Sequence, residues 1–189
     1  MKRVSVIVAA ILFVAVFSGS AFAANSLQQG STAISVGMGD SVFSHTLAPQ
    51  TPGYVNNIVE ISGRYFVAQD VAVYGGVGLQ MNSGDFDGTY LSFTGGVRKY
   101  LSTTNDFATF VAGQLGYASV DGKLNGATFV DESVVDLAGL FGAEYFFAKN
   151  FSLEGAVGVS AGQVNDSHNN ADTTYLGTRT VGIHANFYF

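Results

Sequence analysis

The chain contains no cysteine and no tryptophan, and only two of its 189 residues are proline. Without cysteine, the protein cannot form disulfides, hold a zinc–thiolate site, use thiol chemistry or carry a lipid on an N-terminal cysteine. Charged residues make up only 12% of the chain, which is about half the share found in soluble domains. These absences exclude thiol enzymes, zinc-ribbon proteins and lipoproteins.

Long apolar runs are also missing beyond the N-terminus, although 48% of the residues are hydrophobic. A transmembrane helix needs about 20 consecutive apolar residues, and no segment after residue 23 approaches that length. A chain this apolar without such a helix is expected to alternate apolar residues with polar or small ones along β-strands.

The N-terminus has the organisation of a secretory signal peptide. Lys2 and Arg3 precede an apolar run over residues 4–17, and Ala21 and Ala23 fit a small-residue cleavage site. The run is too short for a membrane anchor. We therefore predict a signal peptide over residues 1–23, cleaved after Ala23, and one mature domain over residues 24–189.

The predicted mature chain is acidic. Loss of Lys2 and Arg3 leaves six basic residues against fourteen acidic ones. Nucleic-acid binding requires a basic surface, so we expect no nucleic-acid partner. Asp and Asn residues instead fit solvent-exposed loops.

Period-two alternation predicts eight strands. Each is long enough to cross a bilayer as a tilted strand of about 9–11 residues. The predicted fold is an all-β, eight-stranded, antiparallel, up-and-down transmembrane β-barrel with both termini in the periplasm. The predicted strands span residues 31–41, 57–67, 71–82, 89–100, 107–119, 134–147, 151–162 and 175–189.

The predicted connections alternate in length, as periplasmic turns and extracellular loops do in such barrels. Short turns are expected at residues 68–70, 101–106 and 148–150. Longer outer loops are expected at residues 42–56, 83–88, 120–133 and 163–174.

Aromatic residues on the apolar face cluster near the predicted short turns, which indicates an interfacial girdle. Tyr117 and Tyr175 would belong to a sparser outer girdle. The predicted periplasmic girdle consists of Tyr65, Phe107, Tyr145, Phe147, Phe151, Phe187 and Phe189.

The chain resembles the small outer-membrane β-barrel superfamily. The resemblance rests on the signal peptide, the eight alternating segments, the alternating connections and the terminal Phe189. This superfamily includes the OmpA transmembrane domain and the OmpX-like barrels, and the resemblance covers essentially the whole mature chain. It implies residence in outer-membrane lipid and lipopolysaccharide, recognition of Phe189 by the barrel-assembly machinery, and a role in envelope integrity, adhesion or surface interaction. We expect a monomer without cofactor or metal, whose loops contact host or other surface ligands.

The same alternation predicts four charged side chains at similar height inside the barrel: Arg64, Arg98, Glu144 and Glu154. Buried charges are tolerated when they are paired and hydrogen-bonded, so we predict a salt-bridged cluster. Its predicted neighbours are Tyr74, Tyr100 and Asn186, and Glu60, Asp136 and His184 are expected higher in the lumen. Two interpretations stay open: a structural network that holds the barrel closed, or a gate that re-pairs and forms a low-conductance pore.

Two further hypotheses compete with these. Lipid A deacylases are small outer-membrane barrels with a His-x-Ser pair, but His184 is followed by Ala185 and Asn186. The nucleophile that acyl transfer needs is therefore missing, and we expect no enzyme activity. A soluble lipocalin-type barrel would bury its apolar face, whereas here the charges share a face with glycine and serine.

Overall fold

The computed structural model describes residues 27–38, 59–84, 86–104 and 106–189. These residues form eight β-strands and the turns between them. Within these residues no helix is long and apolar enough to cross a membrane. The predicted signal peptide and the predicted loop at residues 42–56 lie outside the described residues. The strands are β1 (Thr32–Met38), β2 (Val59–Ala68), β3 (Val71–Asn82), β4 (Phe86–Thr103), β5 (Phe107–Leu124), β6 (Ala127–Ala148), β7 (Phe151–Asp166) and β8 (Ala171–Tyr188).

Each strand pairs antiparallel with the next, and β8 pairs with β1 to close the barrel. At the closing seam, Ile34 of β1 lies opposite Phe187 of β8 and opposite Gly63 of β2. Closure leaves the sheet without a free edge over the paired residues. The predicted eight-stranded antiparallel up-and-down barrel is confirmed.

The apolar side chains point away from the barrel axis. Leu176, Met81 and Ile183 are 82%, 72% and 69% exposed, whereas Glu144 is fully buried. Successive side chains of a strand point to opposite faces. The outer faces are mainly apolar, and the inner faces carry the buried charged and small residues together with buried aromatic and aliphatic side chains. A soluble barrel that hides its apolar face would have the reverse arrangement.

The two ends of the barrel differ. We call the end that carries both the start of β1 and the finish of β8 the terminal end, and the opposite end the loop end. The terminal end holds tight turns between β2 and β3, β4 and β5, and β6 and β7. In the first of these turns Asp70 adopts a left-handed φ of 60°, a conformation that Asp tolerates better than most residues.

At the loop end, two predicted long loops are wrong. Residues 120–133 continue the ladder of β5 and β6 up to a two-residue turn at Asn125 and Gly126. The φ values of 51° and 82° at these residues suit a type I′ hairpin turn, for which Asn-Gly is strongly preferred. Residues 163–174 likewise extend β7 and β8, leaving only a turn at residues 167–170.

A β-bulge overturns part of the predicted alternation in β8. Glu154 of β7 faces His184, but Ala156, two residues along, faces Val181, so β8 carries one extra residue. The extra residue reverses the faces of everything before it. Val181 and Tyr175, predicted to face outward, instead pack against the buried clusters of the lumen. Tyr175 therefore does not belong to an outer girdle.

Inward glycines allow close packing in the narrow lumen. A Cβ atom on Gly142 of β6 would lie 2.2 Å from Cζ of Phe110 and 2.8 Å from the carbonyl oxygen of Gly155. A Cβ atom on Gly139, which faces outward on the same strand, would meet nothing within 4 Å.

We expect Gly142→Ala to lower the free energy of unfolding by about 1–3 kcal/mol, because the added methyl group overpacks the lumen. The matched control Gly139→Ala should change it by no more than about 0.5 kcal/mol. Urea unfolding of both variants, followed by tyrosine fluorescence, measures the difference. Equal effects at the two positions would contradict the assigned faces.

Candidate functional site: the lumen network

The four even-numbered strands finish at the terminal end with one repeated arrangement. In each, an inward polar residue is followed two positions later by an inward aromatic one, and both are buried. The pairs are Arg64 and Phe66 in β2, Arg98 and Tyr100 in β4, Glu144 and Phe146 in β6, and Asn186 and Tyr188 in β8.

One main-chain hydrogen bond recurs at each of these four aromatics. Each amide donates to a carbonyl of the neighbouring turn or terminal segment, at 2.8–3.0 Å. The repeat therefore fixes the four rings at one height and the four polar side chains one layer above. The bonds run from Phe66 to Ser31, from Tyr100 to Asp70, from Phe146 to Asp106 and from Tyr188 to Asn150.

The lower layer is an aromatic floor, formed by Phe66, Tyr100, Phe110, Phe146 and Tyr188. Neighbouring ring centroids lie 5.7–6.4 Å apart, within the range of favourable ring contacts. The inward positions beside them on the odd strands are small, with Ala33, Ala72 and Ala108 all buried. The floor fills the lumen at the terminal end.

The segment before β1 completes this floor. Leu27 is buried in the same cluster, and its carbonyl oxygen accepts a hydrogen bond from the Asp70 amide at 3.1 Å. Sequence reasoning assigned no role to Leu27. Of the floor residues, it named Tyr100 as a polar neighbour of the charges and placed Tyr188 on the inward face of the last strand.

The layer above is the charge layer, made by Arg64, Arg98, Glu144 and Glu154. Arg98 donates to both carboxylate oxygens of Glu154, at 2.5 and 2.8 Å, and Arg64 donates to Glu154 Oε2 at 2.9 Å. Arg64 Nη1 also lies 3.4 Å from Glu144 Oε2. The structure thus brings together all four charges that the sequence placed at this height.

Glu144 depends more on neutral donors than on the arginines. The Tyr100 hydroxyl donates to Oε2 at 2.6 Å, and Asn186 Nδ2 donates to Oε1 at 3.0 Å. Ser152 and Tyr188 also donate their hydroxyls to Oε1. A fully buried carboxylate with this many donors has most of its hydration replaced by the protein.

Arg98 also lies against the faces of two aromatic rings. Its guanidinium carbon lies 3.8 Å from the centroid of the Phe110 ring and 5.5 Å from that of Tyr74, the geometry of cation–π contacts. The Tyr74 hydroxyl in turn donates to Gln114 Oε1 at 2.9 Å. The floor and the charge layer therefore form one packed unit.

A second ion pair lies farther toward the loop end. Arg179 Nη1 lies 2.6 Å from Asp136 Oδ2, and both side chains are only 1% exposed. Sequence reasoning missed Arg179, because uninterrupted alternation through β8 puts it on the outer face. The signal was present: an arginine on a lipid-type face is costly, so a charge on the wrong face indicates a bulge.

The other predicted lumen residues, Glu60 and His184, are also buried inside the barrel. The Thr94 hydroxyl donates to Glu60 Oε1 at 3.3 Å. His184 lies against Gly37 of β1, where a Cβ atom would come within 2.4 Å of its ring. On the ladder, His184 lies opposite Glu154 of the charge layer, and Glu60 lies opposite Gly78 of β3.

Outside the barrel, the predicted girdle residues surround the terminal end. Ring centroids follow one another from Tyr145 to Phe147 at 4.8 Å, to Phe151 at 5.9 Å and to Phe187 at 5.2 Å. Tyr65 of β2 and Phe107 of β5 are exposed on the outer face. The amide of Phe189 donates to the carbonyl oxygen of Thr32 at 2.9 Å.

A closed eight-stranded wall, apolar outside and charged within, defines the class of small eight-stranded β-barrels. The N-terminal barrel domain of Pseudomonas aeruginosa OprF is similar, with 15% identity over 85% of this chain and 98% of that one, at a TM-score of 0.52. Yersinia pestis Ail, in complex with the heparin analogue sucrose octasulfate, matches at 14% identity over 86% and 100% with a TM-score of 0.50. Neisserial surface protein A matches at 14% over 84% and 94%, also at 0.50.

At these identities the likeness concerns the fold, and the predicted resemblance to small outer-membrane barrels is confirmed at that level. No protein-family model matches the chain. No curated protein matches it either.

We expect Glu154→Gln to lower the free energy of unfolding by about 3–5 kcal/mol, because it leaves two buried guanidinium groups facing a single carboxylate. Asp121→Asn, which removes an exposed carboxylate at the loop end, should change it by less than about 0.5 kcal/mol. Equilibrium unfolding in urea measures both. A loss at Glu154 no larger than that at Asp121 would show that the network adds nothing to stability.

Proposed function

We propose that the protein is an integral outer-membrane β-barrel, exported by a signal peptide cleaved after Ala23 and monomeric in phospholipid and lipopolysaccharide. The exposed apolar outer face carries this proposal. In hydrocarbon every backbone polar group must be paired within the protein, and the closed ladder provides that pairing. The terminal end then lies in the periplasm, where Phe189 would be available to the barrel-assembly machinery.

We propose a structural role in envelope integrity, together with surface interaction at the loop end. The β5–β6 hairpin supports the second part. Residues 127–131 of β6 continue beyond its pairing with β7, which ends at Glu132 and Asp166. Leu124 and Phe129 are exposed on this hairpin. A paired, projecting hairpin with exposed apolar side chains fits a contact surface.

Charge narrows the kind of ligand. Ail, an attachment invasion locus protein, binds a polyanionic heparin analogue. The described loop end of this chain instead carries Asp87, Asp121 and Asp131 around a cleft to which Lys123 contributes a single positive charge. Opposite charges attract across such surfaces. A neutral or cationic surface partner therefore fits better than a polyanion.

The two alternatives have less support. A pore would have to pass the aromatic floor and the charge layer, which together fill the lumen. A lipid A-modifying enzyme would need a catalytic histidine at the lipid boundary. His184 is instead enclosed in the lumen beside Glu154 on the neighbouring strand. We therefore propose no enzymatic activity and no cofactor.

Membrane insertion predicts a specific cost for a charge on the outer wall. We expect Leu137→Arg, at an exposed position of β6, to lower the free energy of unfolding in lipid vesicles by about 2–4 kcal/mol. Leu124→Arg, at the hairpin tip, should be nearly neutral. The measurement is urea unfolding in phosphatidylcholine vesicles, with heat-dependent gel migration reporting the inserted barrel. If the protein folds without detergent or lipid, and Leu137→Arg is neutral, the membrane assignment is wrong.

The cellular role is tested by deleting the gene. We expect the deletion strain to become more sensitive to detergents, because the outer membrane loses an integral protein that helps to maintain it. Wild-type protein and the double variant Leu124→Ser/Phe129→Ser should both restore resistance, whereas only wild type should restore surface attachment. Unchanged detergent sensitivity and attachment in the deletion strain would contradict both parts of the proposed role.

A further inference from the structure

Lys99 places a charged side chain on the outer wall of the barrel near its terminal end. Lys99 of β4 is exposed between Val97 and Leu101, which face the same way and are also exposed. Its neighbours across the ladder are Val71 of β3 and Val111 of β5. Every other charged residue that the structure describes lies in the lumen, in a turn or near the loop end.

Lys99 occupies a gap in the girdle of outward aromatics. Tyr65 of β2 and Phe107 of β5 flank the gap, and at this height β3 and β4 present only aliphatic side chains and Lys99. Lys99 lies opposite Val71, the first residue of β3, whereas Tyr65 lies opposite Val73. Lys99 is therefore at girdle height, nearer to the turns than Tyr65 by two residues of β3.

The position determines where the ammonium group can go. An ammonium group in the middle of hydrocarbon costs about 2–4 kcal/mol, and close to the interface about 0–1 kcal/mol. The four-carbon side chain can lie along Val71 and Leu101 while its charged end reaches the headgroup region. No carboxylate in the described ranges lies within salt-bridge distance of Lys99. The described part of the chain therefore offers Lys99 no carboxylate partner, and an anionic lipid headgroup can take that place.

We infer that Lys99 forms a binding position for the phosphodiester of an anionic phospholipid, in the leaflet at the terminal end of the barrel. This inference rests on the proposed membrane function. A zwitterionic headgroup carries its own cation beside the phosphate, so a net-negative headgroup such as phosphatidylglycerol gains more from Lys99. The nearby turns carry Asp70 and Asp106, so the attraction is local to Lys99 rather than a property of the whole rim.

The test compares unfolding in vesicles of phosphatidylcholine alone with vesicles that also contain phosphatidylglycerol. For each protein we measure the ratio of its unfolding equilibrium constants in the two kinds of vesicle. This ratio is then compared between wild type and variant. One lysine near an anionic surface contributes about five-fold in such a constant. Lys99→Gln should lose this five-fold advantage and Lys99→Arg should keep it. Lys123→Gln, at the loop end, serves as the matched control and should also keep it.

Several outcomes would overturn the inference. An unchanged phosphatidylglycerol effect in Lys99→Gln, or an equal loss in Lys123→Gln, would do so. If inorganic phosphate added to phosphatidylcholine vesicles reproduced the effect, the site would bind a free anion rather than a lipid. Failure of the wild type to insert, seen as heat-independent gel migration, would instead refute the proposed function, so the two failures can be told apart.

Discussion

The alternation of side chains along a closed hydrogen-bonded ladder is the constraint on which the other features of this barrel depend. Because the ladder closes, each residue of a regular strand faces either the lumen or the outside. Charges can then be enclosed only by occupying every second position. Seven charged residues of the described strands do so, while valine, leucine and phenylalanine occupy the alternate positions. The apolar exterior and the ionic interior are therefore two results of one pattern.

Within that pattern, the facing carboxylates of Glu144 and Glu154 set the organisation of the lumen. They lie directly opposite each other on β6 and β7. Their mutual repulsion must therefore be offset by cations and hydrogen-bond donors around them. The arginines come from β2 and β4, across the lumen, and the hydroxyl and amide donors come from β4, β7 and β8. The network therefore joins five strands, and the aromatic floor shields it from one end.

Most of this arrangement could be predicted from local sequence, and the exceptions have distinct physical origins. Alternation alone located all eight strands and the four members of the charge layer. The Asn125–Gly126 pair is also a local signal for a hairpin turn. It was overlooked because a long outer loop was predicted over these residues. The bulge in β8 arises from pairing with β7, which a single strand does not encode, although Arg179 on the wrong face marked it. The floor could be predicted only by knowing that three turns and the segment before β1 make the same main-chain hydrogen bond.

The seam between β1 and β8 has a consequence for how the barrel forms. It joins residues near positions 33 and 188, so its ladder brings together almost the full length of the described chain. Contacts between such distant segments form slowly, because the chain loses loop-closure entropy before the contacts contribute any stabilising energy. Seven of the eight ladders connect neighbouring hairpin strands and can form in sequence order. Closure at the seam instead joins the first described strand to the last, so we expect it to be the final ladder to form.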